Sequence, residues 1–255
     1  MRRLGSILPP VGLALLLLLV WEAACRLLAV PPYFLPAPSA IAVALVEAGP
    51  RLMSSALVTF RMAVAALAAA ALTGGGLALA VSLNRSAEHA VRPLAVTLQV
   101  TPIVAIAPLV LIWFGLDHAE RAVVALAAAV AFFPLFSGVL TGLKSADPDL
   151  ERLFDLYAAT PLQRLWRLRL PAAVPFALEG LRVAAGQAVI GAVVAEFVSG
   201  SGATQGLAWR LLEAGNRLRT AEMLAGLVWL AALGLLLNGM VAWLERRFAD
   251  QGSRR

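Results

Sequence analysis

Arg61, Arg182 and Glu196 each stand inside a long apolar run of this sequence. An ionisable group in hydrocarbon is costly, so such a residue is expected either to pair inside a helix bundle or to meet a polar solute crossing an apolar layer. Arg61 and Glu196 fall within about two turns of a run's end, and snorkelling to the surface is the expectation for both. Arg182 lies about 16 Å into its run at 1.5 Å per residue, so internal pairing or a place on a cavity wall is expected there. Arg182 and Glu196 are fourteen residues apart, roughly 21 Å along a helix, and cannot pair with each other within one chain. Gln99, Thr101, Gln187 and Asn238 add uncharged polar groups that could line a path, with packing hydrogen bonds as the plainer role.

Covalent and metal chemistry find no comparable set. Cys25 is the single cysteine, which excludes an intrachain disulfide and a cysteine cluster, and His89 and His118 are too scattered for a metal site. No nucleophile, base and orienting group fall at one depth, so an enzyme site is not expected.

The elements that must position these residues are membrane helices. Of 255 residues, 61% are hydrophobic and only 14% charged, with a mean hydropathy of +0.84. The net charge of +6 does not point to nucleic acid, because the basic residues occupy breaks between apolar runs and form no stripe. Six stretches reach the length a bilayer demands: Ile7 to Leu28, Ser55 to Leu83, Val91 to Phe114, Ala119 to Leu143, Pro171 to Val198 and Ala221 to Trp243. Six crossings put both termini on one side. Basic residues then concentrate there, at Arg2, Arg3, Arg85, Arg92, Lys144, Arg152, Arg164, Arg167, Arg169, Arg246, Arg247, Arg254 and Arg255, which makes that side cytoplasmic. Glu22 follows the first run where a cleavable signal would need a small or apolar residue, so that run is expected to be retained.

Breakers interrupt the runs: Pro102 and Pro108 in the third, Pro134 in the fourth, and Gly74, Gly75 and Gly76 together in the second. They survive in lipid only where neighbouring helices or a wet cavity satisfy the freed backbone. Ala184, Ala188 and Ala192, with Gly191 and Ala195 beside them, permit close helix contact in the fifth. Outside, between Pro31 and Pro50, Ser39 is expected to cap a short interfacial helix over Ala40 to Ala48. The chain reads as one domain over its whole length.

Lys144 to Leu170 is the longest polar break, and it carries two helix starts. Asp147 followed by Pro148, and Thr160 followed by Pro161, each place a capping residue before a proline at the first helical position. Two short helices are expected, Pro148 to Ala159 and Pro161 to Leu170, forming a hairpin between the fourth and fifth spans. Its turn falls at Ala158, Ala159 and Thr160. For Arg164, Trp166 and Arg167, anchoring at the membrane surface is an equal alternative.

This hairpin and the helix after it resemble the cytoplasmic loop of binding-protein-dependent ABC importer permeases, whose pattern is EAA, three residues, Gly, nine residues, Ile, one residue, Leu-Pro. Aligned on Leu170 and Pro171, the Ile position is Leu168, the Gly position Ala158, and the triplet falls on Arg152, Leu153 and Phe154. LPAPSAI from Leu35, TPIVAIAPLVLIWFGLD from Thr101, FFP from Phe132, GLRVAAGQA from Gly180 and AEF from Ala195 are similar, in the same order, to the nitrate, sulfonate, taurine and bicarbonate branch. The resemblance runs from about Leu35 to Glu245.

The resemblance implies an all-α polytopic bundle in a bacterial plasma membrane. It also implies a permease homodimer, two cytoplasmic ATPase subunits that hold ATP and magnesium, and an extracytoplasmic solute-binding protein. No cofactor is expected in this chain, which has no GxxxxGK[ST] phosphate loop. By the same resemblance the hairpin couples to the ATPase through Asp155, Ala158, Ala159, Thr160, Pro161, Arg164, Leu170 and Pro171. The path candidates are Arg61, Gln99, Thr101, Arg182, Gln187 and Glu196. An ion-coupled secondary transporter is the rival reading, disfavoured because Glu196 and Glu22 are both placed toward the outer surface and no Asp lies centrally. The solute is either an oxyanion of the kinds the branch carries or a pyrimidine, thiamine precursor or riboflavin, which the segment from Ala195 to Leu224 resembles more.

Overall fold

A computed structural model describes residues 2–199 and 204–252. Arg254 and Arg255, and residues 200–203, lie outside the described residues. Every regular element among them is helical. The chain divides into two compact units, Met1–Leu57 with Gln205–Ala231, and Val58–Thr204 with Ala232–Arg255.

In the first unit, α1 (Arg2–Leu27) leaves Leu15, Leu16, Leu17 and Leu19 more than half exposed, the surface of a lipid-facing helix. Its end is tied to α2 (Pro38–Glu47). The Glu22 carboxylate accepts from the Ser39 N–H at 3.0 Å and the Ser39 hydroxyl at 2.8 Å, and Arg26 Nε donates to it at 2.6 Å. Ser39 therefore does not cap its helix as expected. The N-cap is Ala37, without a side-chain bond, and the serine is one residue inside, spent on Glu22.

The second unit holds the end of α3 (Gly49–Ala70), a π-turn at Ala71–Gly75 and α4 (Gly76–Ser82). They are followed by α5 (Arg85–Val100), α6 (Ile103–Phe114) and α7 (Ala119–Leu143). Next come α8 (Pro148–Leu156), α9 (Pro161–Arg164), a second π-turn at Leu165–Arg169 and α10 (Leu170–Ser199). Helix α11 (Leu207–Asn216) belongs to the first unit, and α12 (Thr220–Gly252) completes the chain.

The core of the second unit is the antiparallel seam of α7 and α10, built from small residues. A Cβ on Gly142 would stand 2.8 Å from the Ala173 Cα, one on Gly180 2.7 Å from the Pro134 carbonyl oxygen, and one on Gly191 2.8 Å from the Ala127 Cα. Ala184, Ala188, Ala192 and Ala195 are fully buried beside them, together with Ala66, Ala70, Ala127 and Ala131. Backbone approach this close gives dispersion contact that bulky side chains would prevent, which is how helices associate where lipid removes the hydrophobic drive.

Among the described residues, five helical stretches are long and apolar enough to cross a bilayer: Pro9–Leu27, Gly49–Ser82, Ala119–Leu143, Pro161–Ser199 and Thr220–Arg247. The third expected span differs. It is the pair α5 and α6, bent by 98°. Pro102 disfavours helical geometry in the residue before it, and Thr101 is extended at φ −70°, ψ 125°. Pro108 and Pro134, also expected to interrupt, stay inside continuous helices.

Candidate functional site

The hairpin is a rigid body by local design. Asp147 accepts from the Asp149 N–H at 2.8 Å to start α8. Thr160 and Gln163 close a reciprocal capping box, with each side chain accepting from the other's N–H, at 3.3 and 2.9 Å. Between them α8 ends in a Schellman turn. The Ala159 N–H reaches the Phe154 carbonyl and the Ala158 N–H the Asp155 carbonyl, both at 3.0 Å, with Ala158 at φ +50°. The first hairpin helix thus stops at Leu156, short of the expected Ala159. No glycine marks the stop.

Ala158→Gly should therefore stabilise the turn by about 0.5–1 kcal/mol, because an L-residue is strained at that φ and glycine is not. The check is slower hydrogen exchange at the Ala159 N–H. Exchange as fast as in the parent would contradict it.

The second hairpin helix does not end at Leu170 either. It continues through the π-turn into α10, making one helix of 39 residues from Pro161 to Ser199. Its root is clamped to α8 by charge. Glu151 receives Arg169 Nε at 2.6 Å and Arg164 Nη1 at 3.1 Å, and Arg164 Nη2 also meets Asp155 at 2.5 Å. The Arg169 bond first, with the charges of Arg169 and Arg164 adding to it, holds the Glu151 carboxyl below its ordinary value, so it is ionised at neutral pH. Arg164 is engaged in this clamp and is not free to anchor at the membrane surface.

α8, its turn and the helix that follows carry exposed apolar side chains. Leu156 is 84% exposed, Tyr157 79% and Trp166 66%, with Leu153 and Leu162 beside them. Sequence reasoning did not single out Leu156, Tyr157 or Glu151. Glu151 and Asp155 are four residues apart on one helical face, with Leu153 and Leu156 offset from it, a pattern that would have located both faces.

A second site lies at the α5–α6 break. Gln99, Thr101 and Gln187, three of the path candidates, line one cavity of about 340 Å³ with Pro134, Gly191 and Val194. The Thr101 hydroxyl donates to the Thr97 carbonyl at 2.7 Å.

The other three path candidates are not in that cavity. Arg61 is exposed and pairs with Glu120 at 3.4 Å. Arg182 is exposed on α10, and it forms no ion pair among the described residues, so the internal pairing expected at its depth does not occur. Glu196 does not snorkel. It is 1% exposed and accepts from the Thr59 hydroxyl at 3.0 Å. Counting residues along a helix does not say which side of it each of the two occupies.

Residues 72–250 match the family described as "Binding-protein-dependent transport system inner membrane component". The chain belongs to this family. A formylaminopyrimidine transport permease of Halalkalibacterium halodurans is 33% identical over 96% of this chain and 96% of its own. A taurine transport system permease of Escherichia coli is 31% identical over 93% of this chain and 87% of its own. A solved structure described as an amino acid ABC transporter with histidines shares the fold, with a TM-score of 0.65 at 15% identity over 82% of this chain and 97% of that one. The permease is thus an all-helical, multi-pass membrane protein, and its relatives are transport subunits.

Proposed function

We propose that this permease is the membrane subunit of an ATP-driven importer. In this reading it works as a pair of copies, receives a small solute from a binding protein and takes its power stroke from a separate ATPase seated on the hairpin. One observation carries the reading. The helix Pro161–Ser199 bears the clamped hairpin at one end and Gln187 of the cavity further along, so a push on the hairpin moves a cavity wall without a flexible joint between them.

The cavity lining, two carboxamides and a hydroxyl with no charged side chain, supports a neutral hydrogen-bonding solute such as a pyrimidine over an oxyanion, which would cross it without a counter-charge. Both termini and the hairpin face the cytoplasm of a bacterial plasma membrane, following the basic residues.

The test is reconstitution of the permease with its ATPase and binding protein in proteoliposomes. Uptake should require ATP, and formylaminopyrimidine should be taken up in preference to taurine. A cysteine replacing Ser145 in a Cys25→Ser chain should be labelled only from the ATPase side. Uptake driven by a proton or sodium gradient without ATP would establish the secondary-transporter reading instead.

A further inference from the structure

At the root of the hairpin lies a second cavity, which shares no lining residue with the one at the α5–α6 break. It measures about 610 Å³ and is lined by Ser82 and Leu143, the last residues of two spans, by Arg85, Glu88 and His89 of the first turns of α5, by Lys144, and by Glu151 and Arg169 of the clamp. Because the apolar stretches Gly49–Ser82 and Ala119–Leu143 both end on its wall, headgroup depth is the position expected for the cavity.

Its carboxylates are already satisfied. Glu88 is buried and receives Lys144 at 2.5 Å, with Arg92 at 4.0 Å, while Glu151 receives Arg169 and Arg164. In the lining itself three cations (Arg85, Lys144 and Arg169) stand with two carboxylates (Glu88 and Glu151), a surplus of one. Arg85 and His89 form no ion pair among the described residues. They offer a guanidinium fork and an imidazole N–H beside the Ser82 hydroxyl, although that hydroxyl also donates to the Leu79 carbonyl at 2.8 Å. Leu83, next to Ser82 in the chain, is an apolar residue 55% exposed.

We infer that this cavity binds a phosphate group, with Arg85 and His89 as its principal donors and Lys144 and Arg169 supplying field. An unpaired guanidinium is suited to two phosphate oxygens at once, and a basic recess at headgroup depth matches an anionic phospholipid. A free phosphate from solution presents the same chemistry, and the test separates the two sources. The inference does not depend on the direction or the energy source of transport.

Native mass spectrometry of the full-length permease should show phosphatidylglycerol retained in preference to phosphatidylcholine. The double variant Arg85→Gln, His89→Gln should weaken that retention by about fivefold or more, since one cation near a membrane surface contributes roughly a fivefold factor and the imidazole donor is lost with it. Both side chains are exposed, so the fold should persist. Arg152→Gln, at a cation paired with Asp149 away from the cavity, should change nothing. Millimolar inorganic phosphate that displaces phosphatidylglycerol would mark the site as one for a soluble phosphate compound, and failure to displace it would assign the lipid. Equal retention of the two lipids by the parent chain, or undiminished phosphatidylglycerol on the double variant, would overturn the proposal.

Discussion

Leu156→Asp is expected to detach the ATPase from the permease and to lower ATP-driven uptake by about a hundredfold or more, with the permease itself inserted and folded. Leu156 and Tyr157 project from a turn whose backbone is fully bonded, and they contribute little to the interior. In water, exchanging such a side chain costs within about 0.5 kcal/mol. Seated in an apolar groove, the same exchange buries an unpaired carboxylate at the centre of an interface, where anchor losses reach about 2–4 kcal/mol. Ala159→Glu would test the same docking less cleanly, because Ala159 is half-buried and its N–H closes the Schellman turn. Co-purification of the ATPase with the Leu156→Asp chain at parental yield would remove the hairpin from the coupling mechanism.

The second large effect is expected at the α7–α10 seam. Gly180→Ala should destabilise the purified permease by about 1–3 kcal/mol, the range for forcing volume into a packed core, and Gly180→Val by more. The added Cβ would sit 2.7 Å from the Pro134 carbonyl oxygen, which is backbone and cannot swing aside. Gly186 lies less than two turns further along the same helix and has nothing within 4 Å of its Cβ position. Gly186→Ala should be neutral or stabilise by up to about 1 kcal/mol through helix propensity. Thermal unfolding in one detergent compares the two directly. Similar melting temperatures for both variants would mean that α7 and α10 do not pack as described.

The helical class and the spans were legible because hydropathy over twenty residues is a strong signal, and lipid leaves the backbone few alternatives. The bend at Thr101 was half legible. Pro102 announces a fault, but Pro108 and Pro134 announce the same fault and their helices continue, so proline alone does not say where a helix turns away. Gln99, Thr101 and Gln187 could be listed from sequence as polar groups in apolar runs, yet their meeting in one cavity depends on α5, α6 and α10 converging. Glu196 and Arg182 show the limit of counting residues from a helix end, since the rise gives depth but not which face is covered. Ala158 hid the end of α8 because the left-handed position there carries a methyl group in place of the glycine that usually reports it.

The bend between α5 and α6 also bears on how the chain enters the bilayer during synthesis. Helix α6 has 12 residues, about 18 Å at 1.5 Å per residue, against roughly 30 Å of hydrocarbon. An emerging segment of that length, preceded by a break at Thr101 where Pro102 supplies no N–H, has little reason to leave the translocon for lipid on its own. Its Ala107 packs with residues of α7 and α10, and its Leu111 against Ala119 and Ala122 of α7. Much of that support lies in α10, which is translated some sixty residues after α6 ends, on the far side of the hairpin. A nascent chain halted before Pro171 should hold α5 and α6 accessible to aqueous labels, and only release through α10 should seal them, so biogenesis of this protein is expected to be completed from its second half backwards.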